Sequence, residues 1–236
     1  MYNLSIIIPL YNEEKRVAYC LQILNDFLQN KKKFNIETIF VDDGSNDNTA
    51  KIIKKFIKKN NKYSLNIISY KKNVGKGFAI KKGILKSKKK WKLICDADMS
   101  VKLFQFEEWF KKKLIQNENC AYFGSRNHKR SKIKTSIIRE GLGLIFKAIL
   151  RILFKIKISD TQCGFKVFHK KYAKKIFAKL TSYRFAFDVE LTLILKKHSV
   201  QIKELPLRWE HKNNSKLSLI RDMPLMFLDI LKIKFK

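Results

Sequence analysis

The chain has 236 residues, 45% hydrophobic and 12% aromatic, which suffices for one large globular domain with a substantial core and excludes a disordered polyelectrolyte. Its 52 Lys and Arg against 20 Asp and Glu leave a formal charge of +32, directing it towards polyanionic partners: nucleic acid, an acidic membrane surface or phosphorylated substrates. Cys20, Cys95, Cys120 and Cys163 are scattered without a Cys-x-x-Cys pair, as expected of reduced, buried thiols rather than a zinc site or disulfide framework, and no run of about 20 apolar residues offers a simple membrane span.

Residues 4–9 form a short apolar run rich in β-branched residues, the pattern of a strand buried on both faces of a parallel sheet. The run begins almost at the N-terminus, without a basic leader, so no secretory signal is expected. Tyr11, Asn12 and Glu13 follow, and Val17, Cys20, Leu21, Leu24, Phe27 and Leu28 then recur at helical spacing. Residues 36–41 read as a second buried strand, ending in the acidic loop that starts at Asp42 and Asp43. Capping by Ser45 or Asn46 explains part of this loop but leaves the Asp42 and Asp43 pair unexplained. In open α/β sheets ligands bind outside the carboxyl ends of the strands, so acidic loops after successive strands gather on one rim. The next helix presents Lys51, Lys54, Lys55, Lys58, Lys59 and Lys62 opposite Ile52, Ile53, Phe56 and Ile57.

Residues 65–70 read as a third strand, and Asn73, Gly75, Lys76 and Gly77 open a helix running to about residue 86. Two glycines permit close backbone approach and a helix N-terminus favours anions, making Lys76 a candidate phosphate contact; a plain turn is the competing reading. A fourth strand at residues 91–95 delivers Asp96 and Asp98, with Ser100 just beyond. Residues i and i+2 of an extended segment point the same way, so both carboxylates can converge on one hard cation. A polar strand-end turn is the alternative for an isolated Asp-x-Asp. Strands alternating with helices make the fold class α/β.

Residues 104–114 are predicted helical, and residues 121–124 form a short strand ending at Ser125 and Arg126, with Arg139 further along. Arginine forks suit phosphate oxygens. In residues 142–158 Lys147, Arg151 and Lys155 fall at i, i+4 and i+8, one basic ridge on a helix otherwise of Leu, Ile and Phe. Two readings fit: a helix lying in a membrane interface, or a core or dimer helix with snorkelling cations. Residues 217–236 repeat the theme, with Met226, Phe227, Leu228, Ile230, Leu231 and Ile233 against Asp229, Lys232, Lys234 and Lys236. Between them lie strand-like residues 165–168, a helix start carrying Asp188 and Glu190, and a late strand near residues 202–209. Asp188 and Glu190 are two positions apart and do not share a helical face, so they are not read as a catalytic pair; Glu190 is left as a support on the acceptor side.

Taken together these residues resemble family 2 glycosyltransferases of the GT-A fold, and within them the dolichyl- or polyprenyl-phosphate β-glucosyltransferases. The resemblance covers nearly the whole chain and rests on Ile-Ile-Pro-Leu-Tyr-Asn-Glu at 7–13, Val-Asp-Asp-Gly-Ser at 41–45, Asp-Ala-Asp at 96–98, Gly-Ser-Arg at 124–126, Asp-Thr-Gln-Cys-Gly-Phe-Lys at 160–166 and Arg-Phe-Ala-Phe-Asp-Val-Glu-Leu at 184–191. It implies a Rossmann-like nucleotide-sugar transferase fold with a mostly parallel central sheet, one catalytic domain spanning residues 1–236, and segments 142–158 and 217–236 as membrane-interface helices. Pro9, Tyr11, Glu13, Asp42, Asp43, Lys76 and Asp96 would line the nucleotide site; Asp96, Asp98 and Ser100 would hold the metal; Arg126 and Arg139 would meet phosphates. Unlike several relatives, the chain shows no N-terminal anchor and no C-terminal transmembrane helices, so attachment would rest on the two amphipathic segments, placing the protein peripherally on the cytoplasmic face of the membrane.

The reaction so implied is transfer of glucose from UDP-glucose to a polyprenyl phosphate with inversion, assisted by Mg²⁺ or Mn²⁺. Asp98, Asp160, Arg126 and Arg139 are the candidate catalytic residues. Asp160 would be a base for a hydroxyl acceptor and a sugar-orienting group for a phosphate acceptor. The rivals are the same fold using GDP-mannose or another nucleotide sugar, or a glycan hydroxyl acceptor, and a noncatalytic basic protein that binds membranes or nucleic acid. Without a stacking-aromatic or zinc module, no nucleic acid is expected as a partner.

Overall fold

Strands and helices alternate through the first half of the chain: β1 (Tyr2–Leu10), α1 (Glu14–Gln29), β2 (Phe34–Asp42), α2 (Thr49–Lys59), β3 (Ser64–Ser69), α3 (Lys76–Lys86) and β4 (Trp91–Ile94). The computed structural model describes residues 2–29, 34–134, 148–184, 186–210 and 228–235. In the second half come α4 (Phe104–Lys111), β5 (Cys120–Gly124), β6 (Lys132–Lys134), α5 (148–154), β7 (Lys166–His169), α6 (Lys170–Ala178), α7 (Phe187–Lys197), β8 (Gln201–Leu205), β9 (Arg208–Glu210) and α8 (228–234).

The main sheet has the order β3-β2-β1-β4-β7-β5-β8, parallel except for β7, which runs antiparallel to both neighbours. Apolar runs become central strands because both faces are covered. Along β1, Leu4, Ile6 and Ile8 pack on the face shared with Val17, Leu24 and Phe27 of α1, while Ile7 packs on the other with Ile80 and Ile84 of α3. The period of two splits one strand between two cores.

The chain steps outward from β1 to β3, then returns to the other side of β1 as β4, so β1 lies at the topological switch. The antiparallel β7 has a further effect on the same rim. Its register pairs Ile94 with Lys166 and Phe123 with Lys166. The start of β7, and the loop before it, are thereby delivered to the rim where β1, β2, β4 and β5 end.

Three expectations change at element ends. The helix of residues 104–114 stops at Lys111, with Lys113 in the left-handed region at φ 54°. The late strand divides at Pro206: β8 joins the main sheet, whereas β9 pairs in parallel with β6 as a separate ribbon, because a proline cannot donate to a continuous ladder. The described part of the 142–158 helix is α5, which ends at residue 154; Lys155 turns to φ 53° and leaves the basic ridge, and Ile156 enters the core. Residues 142–147 and 217–227 lie outside the described residues.

The apolar arc of α5 is divided between two environments. Leu150 and Ile156 pack with Ala186, Val189 and Ile230, joining α5, α7 and α8 in a third core, and Lys234 Nζ donates to the Leu153 carbonyl at 2.6 Å. This part follows the core-helix reading. Ile152, Leu228 and Phe235 stay 80%, 52% and 85% exposed, beside the exposed cations Arg151, Lys155, Lys232 and Lys234. No helix among the described residues is long and apolar enough to cross a membrane.

Candidate active site

At the ends of β1 and β2 the two acidic loops interlock. Asn12, at φ 51°, donates its N–H to Ser45 Oγ at 2.9 Å and accepts the Asn46 N–H at 2.8 Å. The Glu13 N–H donates to Thr49 Oγ1 at 2.7 Å. Pro9 is buried within β1 opposite Val41, and Tyr11 stands on the rim, partly exposed. The Glu13 carboxylate receives the Arg16 guanidinium through two 2.7 Å bonds, and Asp42 accepts the Ser45 N–H at 3.2 Å.

Asp43 faces neighbouring backbone. It accepts from Asn73 Nδ2 at 2.8 Å, the Val74 N–H at 2.9 Å and the Gly75 N–H at 2.8 Å, clamping the β2 loop to the entry of α3. Gly44 enables this clamp: at φ 70° its Cβ would lie 2.6 Å from the Lys72 carbonyl carbon.

The N-terminus of α3 is not the open anion site that its glycines suggest. The Gly77 and Phe78 N–H groups both donate to the Tyr183 carbonyl, at 2.7 and 3.3 Å, while the Val74 and Gly75 N–H groups are taken by Asp43. A Cβ on Gly75 would sit 2.3 Å from the Tyr183 oxygen, and one on Gly77 2.6 Å from Phe187 Cβ. The glycines admit another part of the protein, not a ligand. What the helix start offers the rim is the Lys76 side chain, whose Nζ lies 2.6 Å from Asp96 Oδ1. Burial alone would lower the Lys76 ammonium, but the charges of Asp96 and Asp188 overcome it and hold the group above its ordinary value.

Asp96 and Asp98 follow β4 in a tight turn, with the Met99 N–H on the Asp96 carbonyl at 3.1 Å and Met99 itself at φ 51°. Ser100 donates its N–H to Asp98 Oδ1 at 2.9 Å. The Asp98 carboxyl is pushed up by burial and by the charge of Asp96, against the hydrogen bonds from Ser100. Asp96 Oδ1 is buried without a well-aligned hydrogen bond; its contact with Lys76 is an ion pair. Among the described residues no group of three or more His, Cys, Asp or Glu gathers around one point. Two hard carboxylates nevertheless suit Mg²⁺ or Mn²⁺ in sites where substrate phosphates complete the coordination.

Beyond β5, Arg126 grips Asp160. Its Nε and an Nη donate to the two carboxylate oxygens at 2.8 and 2.9 Å, and its backbone N–H donates to Oδ2 at 2.9 Å. Burial pushes the Asp160 carboxyl up, yet the bonds and charge of Arg126 outweigh this and hold it below the usual carboxylate value. A carboxylate so engaged is a weak proton acceptor; in this arrangement it orients Arg126. Glu204 fixes the turn by accepting the Ser159 and Asp160 N–H groups at 2.9 and 3.0 Å. The Trp209 ring lies 6.0 Å from the Arg126 guanidinium, and the Glu210 N–H donates to the Ser100 carbonyl at 3.0 Å, tying the β6–β9 ribbon to the carboxylate turn. Arg139 lies outside the described residues.

The pairing of Lys166 with Asp188 is a feature the sequence reading missed. Lys166, 2% exposed on its side chain, makes a short ion pair with Asp188 of α7 and sits over the ring of Phe123 at 5.0 Å. Burial raises the Asp188 carboxyl despite the nearby Lys166 and Lys76. The available signal was a Lys and an Asp each embedded among apolar residues, since buried charges require partners. Glu190 accepts the Thr181 and Ser182 N–H groups at 2.9 and 2.6 Å, which fixes the loop that carries Tyr183 to α3.

Residues 5–177 match glycosyl transferase family 2. The dolichyl-phosphate beta-glucosyltransferase of Dictyostelium discoideum is 36% identical over 99% of this chain and 74% of its own. The Homo sapiens protein of the same name is 35% identical over 99% of this chain and 75% of its own. Among solved structures, the glucosyl-3-phosphoglycerate synthase of Mycobacterium tuberculosis in complex with UDP superposes with a TM-score of 0.70 at 14% identity, covering 99% of this chain and 80% of that one. Its complex with Mn²⁺, UDP-glucose and glycerol 3-phosphate gives 0.67 at 16% identity, covering 98% and 78%. At such identities the likeness concerns the fold, which is GT-A.

Proposed function

The chain belongs to glycosyl transferase family 2 and is a glycosyltransferase, and from that premise we propose that it moves glucose from UDP-glucose to a dolichyl-type polyprenyl phosphate with inversion. The choice of sugar and lipid is supported by relatives named dolichyl-phosphate beta-glucosyltransferases at 35–36% identity across 99% of the chain. The observation that carries the chemistry is one rim holding Asp96 and Asp98 at the end of β4 and the locked Arg126 at the end of β5.

In this reading Pro9, Tyr11 and Asp42 line the nucleotide site, while Glu13 and Asp43 act indirectly by holding its loops. Mg²⁺ or Mn²⁺, when bound by Asp96 and Asp98, supplies positive charge for the departing diphosphate, as Mn²⁺ accompanies UDP-glucose in the mycobacterial synthase complex. Ser100 keeps Asp98 in place. Arg126, held by Asp160, directs its remaining donors at phosphate oxygens, for which a fixed guanidinium is suited, and Arg139 is assigned a second phosphate contact on its residue type alone. A phosphate monoester acceptor is already ionised near neutral pH, so the site needs no strong base. That agrees with an Asp160 committed to Arg126. Positioning and charge stabilisation supply the acceleration.

The whole chain acts as one catalytic domain, and the protein works peripherally on the cytoplasmic face of an anionic membrane. Exposed Ile152, Leu228 and Phe235 among cations support that attachment. The test is incubation of purified protein with a panel of nucleotide sugars and polyprenyl phosphate, with and without divalent metal. Lipid-linked glucose formed from UDP-glucose only with metal is the expected result. Absence of any lipid-linked product overturns the acceptor assignment, and product from GDP-mannose alone overturns the donor assignment.

A further inference from the structure

Lys76 and Lys166 both lie behind the carboxylates of the rim but are held differently. Lys166 is enclosed and committed to Asp188. Lys76 keeps 27% of its side chain exposed and rests on Asp96, itself 33% exposed on its side chain. Arg16 and Arg126 also act on Asp96 but are each paired, with Glu13 and Asp160, so Asp96, Asp98 and Asp188 against Lys76 and Lys166 leave three negative charges facing two positive ones. A divalent cation added to this group reverses the balance to an excess of one positive charge, and the ammonium next to Asp96 becomes a repelling neighbour. Around the start of α3, Asp43 takes the Val74 and Gly75 N–H groups and the Tyr183 carbonyl those of Gly77 and Phe78, which leaves the Lys76 side chain as the main cation this helix start offers.

We propose that Lys76 is an internal counterion: it occupies Asp96 in the metal-free protein and moves to a phosphate oxygen of the incoming nucleotide when the divalent cation takes that carboxylate. Its flexible four-carbon stem and compact ammonium suit an exchange that the rigid fork of an arginine would perform less readily. The exchange couples the two ligands. Metal alone must displace Lys76 and binds weakly, whereas metal with a nucleoside diphosphate gives the displaced ammonium a new partner. The site thereby favours the metal–nucleotide complex over free metal. This inference rests on the metal-assisted reading above.

The experiment compares wild type with Lys76→Met and Lys76→Arg by titrating Mn²⁺ without nucleotide, reading free Mn²⁺ by electron paramagnetic resonance, and then titrating UDP at saturating Mn²⁺. No lipid acceptor is present, so the readout is binding. Lys76→Met is expected to bind Mn²⁺ alone roughly tenfold more tightly, the scale of repulsion between a dication and a monocation about 5 Å apart in water-like surroundings. It is expected to bind UDP with Mn²⁺ about tenfold more weakly, the scale of one lost charge-assisted contact. Lys76→Arg restores both values towards wild type. Unchanged or weaker Mn²⁺ binding by Lys76→Met overturns the counterion role while leaving the metal reading intact. No Mn²⁺ uptake by any of the three proteins overturns the metal reading and this proposal with it.

Discussion

Gly164 and Asp96 touch so closely that a Cβ on the glycine would lie 2.0 Å from Asp96 Oδ2. The contact joins the loop before β7 to the carboxylate turn after β4. It supplies a physical reason for a glycine in the segment 160–166: backbone must pass directly beneath a carboxylate aimed at the rim. The constraint is one of space, since the nearest atoms all belong to that carboxylate.

Gly164→Ala is therefore expected to displace Asp96 while leaving the fold intact. Overpacking of this kind costs about 1–3 kcal/mol, and a shift of about 1 Å in a positioned group can cost about 100-fold in rate. Urea unfolding and glucosyl transfer on the same preparation separate the two effects. Full activity in Gly164→Ala shows that Asp96 does not need this position.

Asp98→Asn is expected to lower transfer by about 10²–10³-fold, the scale for loss of one preorganised electrostatic contact at a transition state. It is also expected to weaken Mn²⁺ binding. Stability should hold or rise slightly, because burial and the Asp96 charge already disfavour the ionised Asp98. Retained transfer in a folded Asp98→Asn would remove this residue from the site.

The Arg126–Asp160 pair has a defined pH signature. The folded Asp160 carboxyl titrates below its unfolded value, so its ionised form stabilises the fold above the unfolded value of about 3.9. That contribution disappears as pH falls through the lower folded value. Asp160→Asn should cost about 2 kcal/mol at neutral pH, after discounting for a partly exposed Arg126. The gap from wild type should narrow below about pH 4. Urea unfolding from pH 7 to pH 3 reads this directly; a gap that does not narrow rules out an ionic contribution from Asp160.

Lys166→Met leaves Asp188 buried without its cation and should destabilise by about 3–5 kcal/mol. Lys166→Met combined with Asp188→Leu removes both charges and should recover most of that loss. Denaturant midpoints of the two single variants and the double variant give the coupling. Additive losses would show that the two side chains do not act as a pair.

The third core and its exposed margin respond in opposite ways. Ile230→Ala, at a fully buried position, should cost about 3 kcal/mol. Ile152→Ser, at a position 80% exposed, should change stability by no more than about 0.5 kcal/mol. If α5 lies in a membrane interface, the same Ile152→Ser substitution lowers partitioning to anionic vesicles several-fold, measurable by co-sedimentation. Unchanged sedimentation assigns α5 to core packing alone.

The buried strands and the face of α1 were legible because their signals are local. Val17, Cys20, Leu21, Leu24, Phe27 and Leu28 are the buried residues of α1, as their 3.6-residue spacing requires. Asp96 and Asp98 alone fit a strand-end turn as well as a cation site; the Asp42 loop on the same rim and the motifs at 124–126 and 160–166 distinguished the two. The end of α5 escaped the same logic: periodicity continues through Lys155 and Ile156, but the chain turns there to bury Ile156 against α7. Asp43 escaped as well. Its partners Asn73, Val74 and Gly75 follow it by 30 to 32 positions, and no pattern within the loop marks it as a clamp.

The α/β alternation, the rim on which acidic loops collect and the residue types available there can all be read from local patterns in the chain. Periodicity and strand-end placement are properties of neighbouring residues, and they survive without knowledge of the fold. Which polar groups are already consumed and which still face the rim depends on contacts between distant segments. The antiparallel insertion of β7 brings Gly164 beneath Asp96, the loop before α7 closes the N-terminus of α3 with the Tyr183 carbonyl, and Lys166 finds Asp188. Each of these depends on register between distant segments, because a buried donor or charge must be satisfied by whatever group the fold places within about 3 Å.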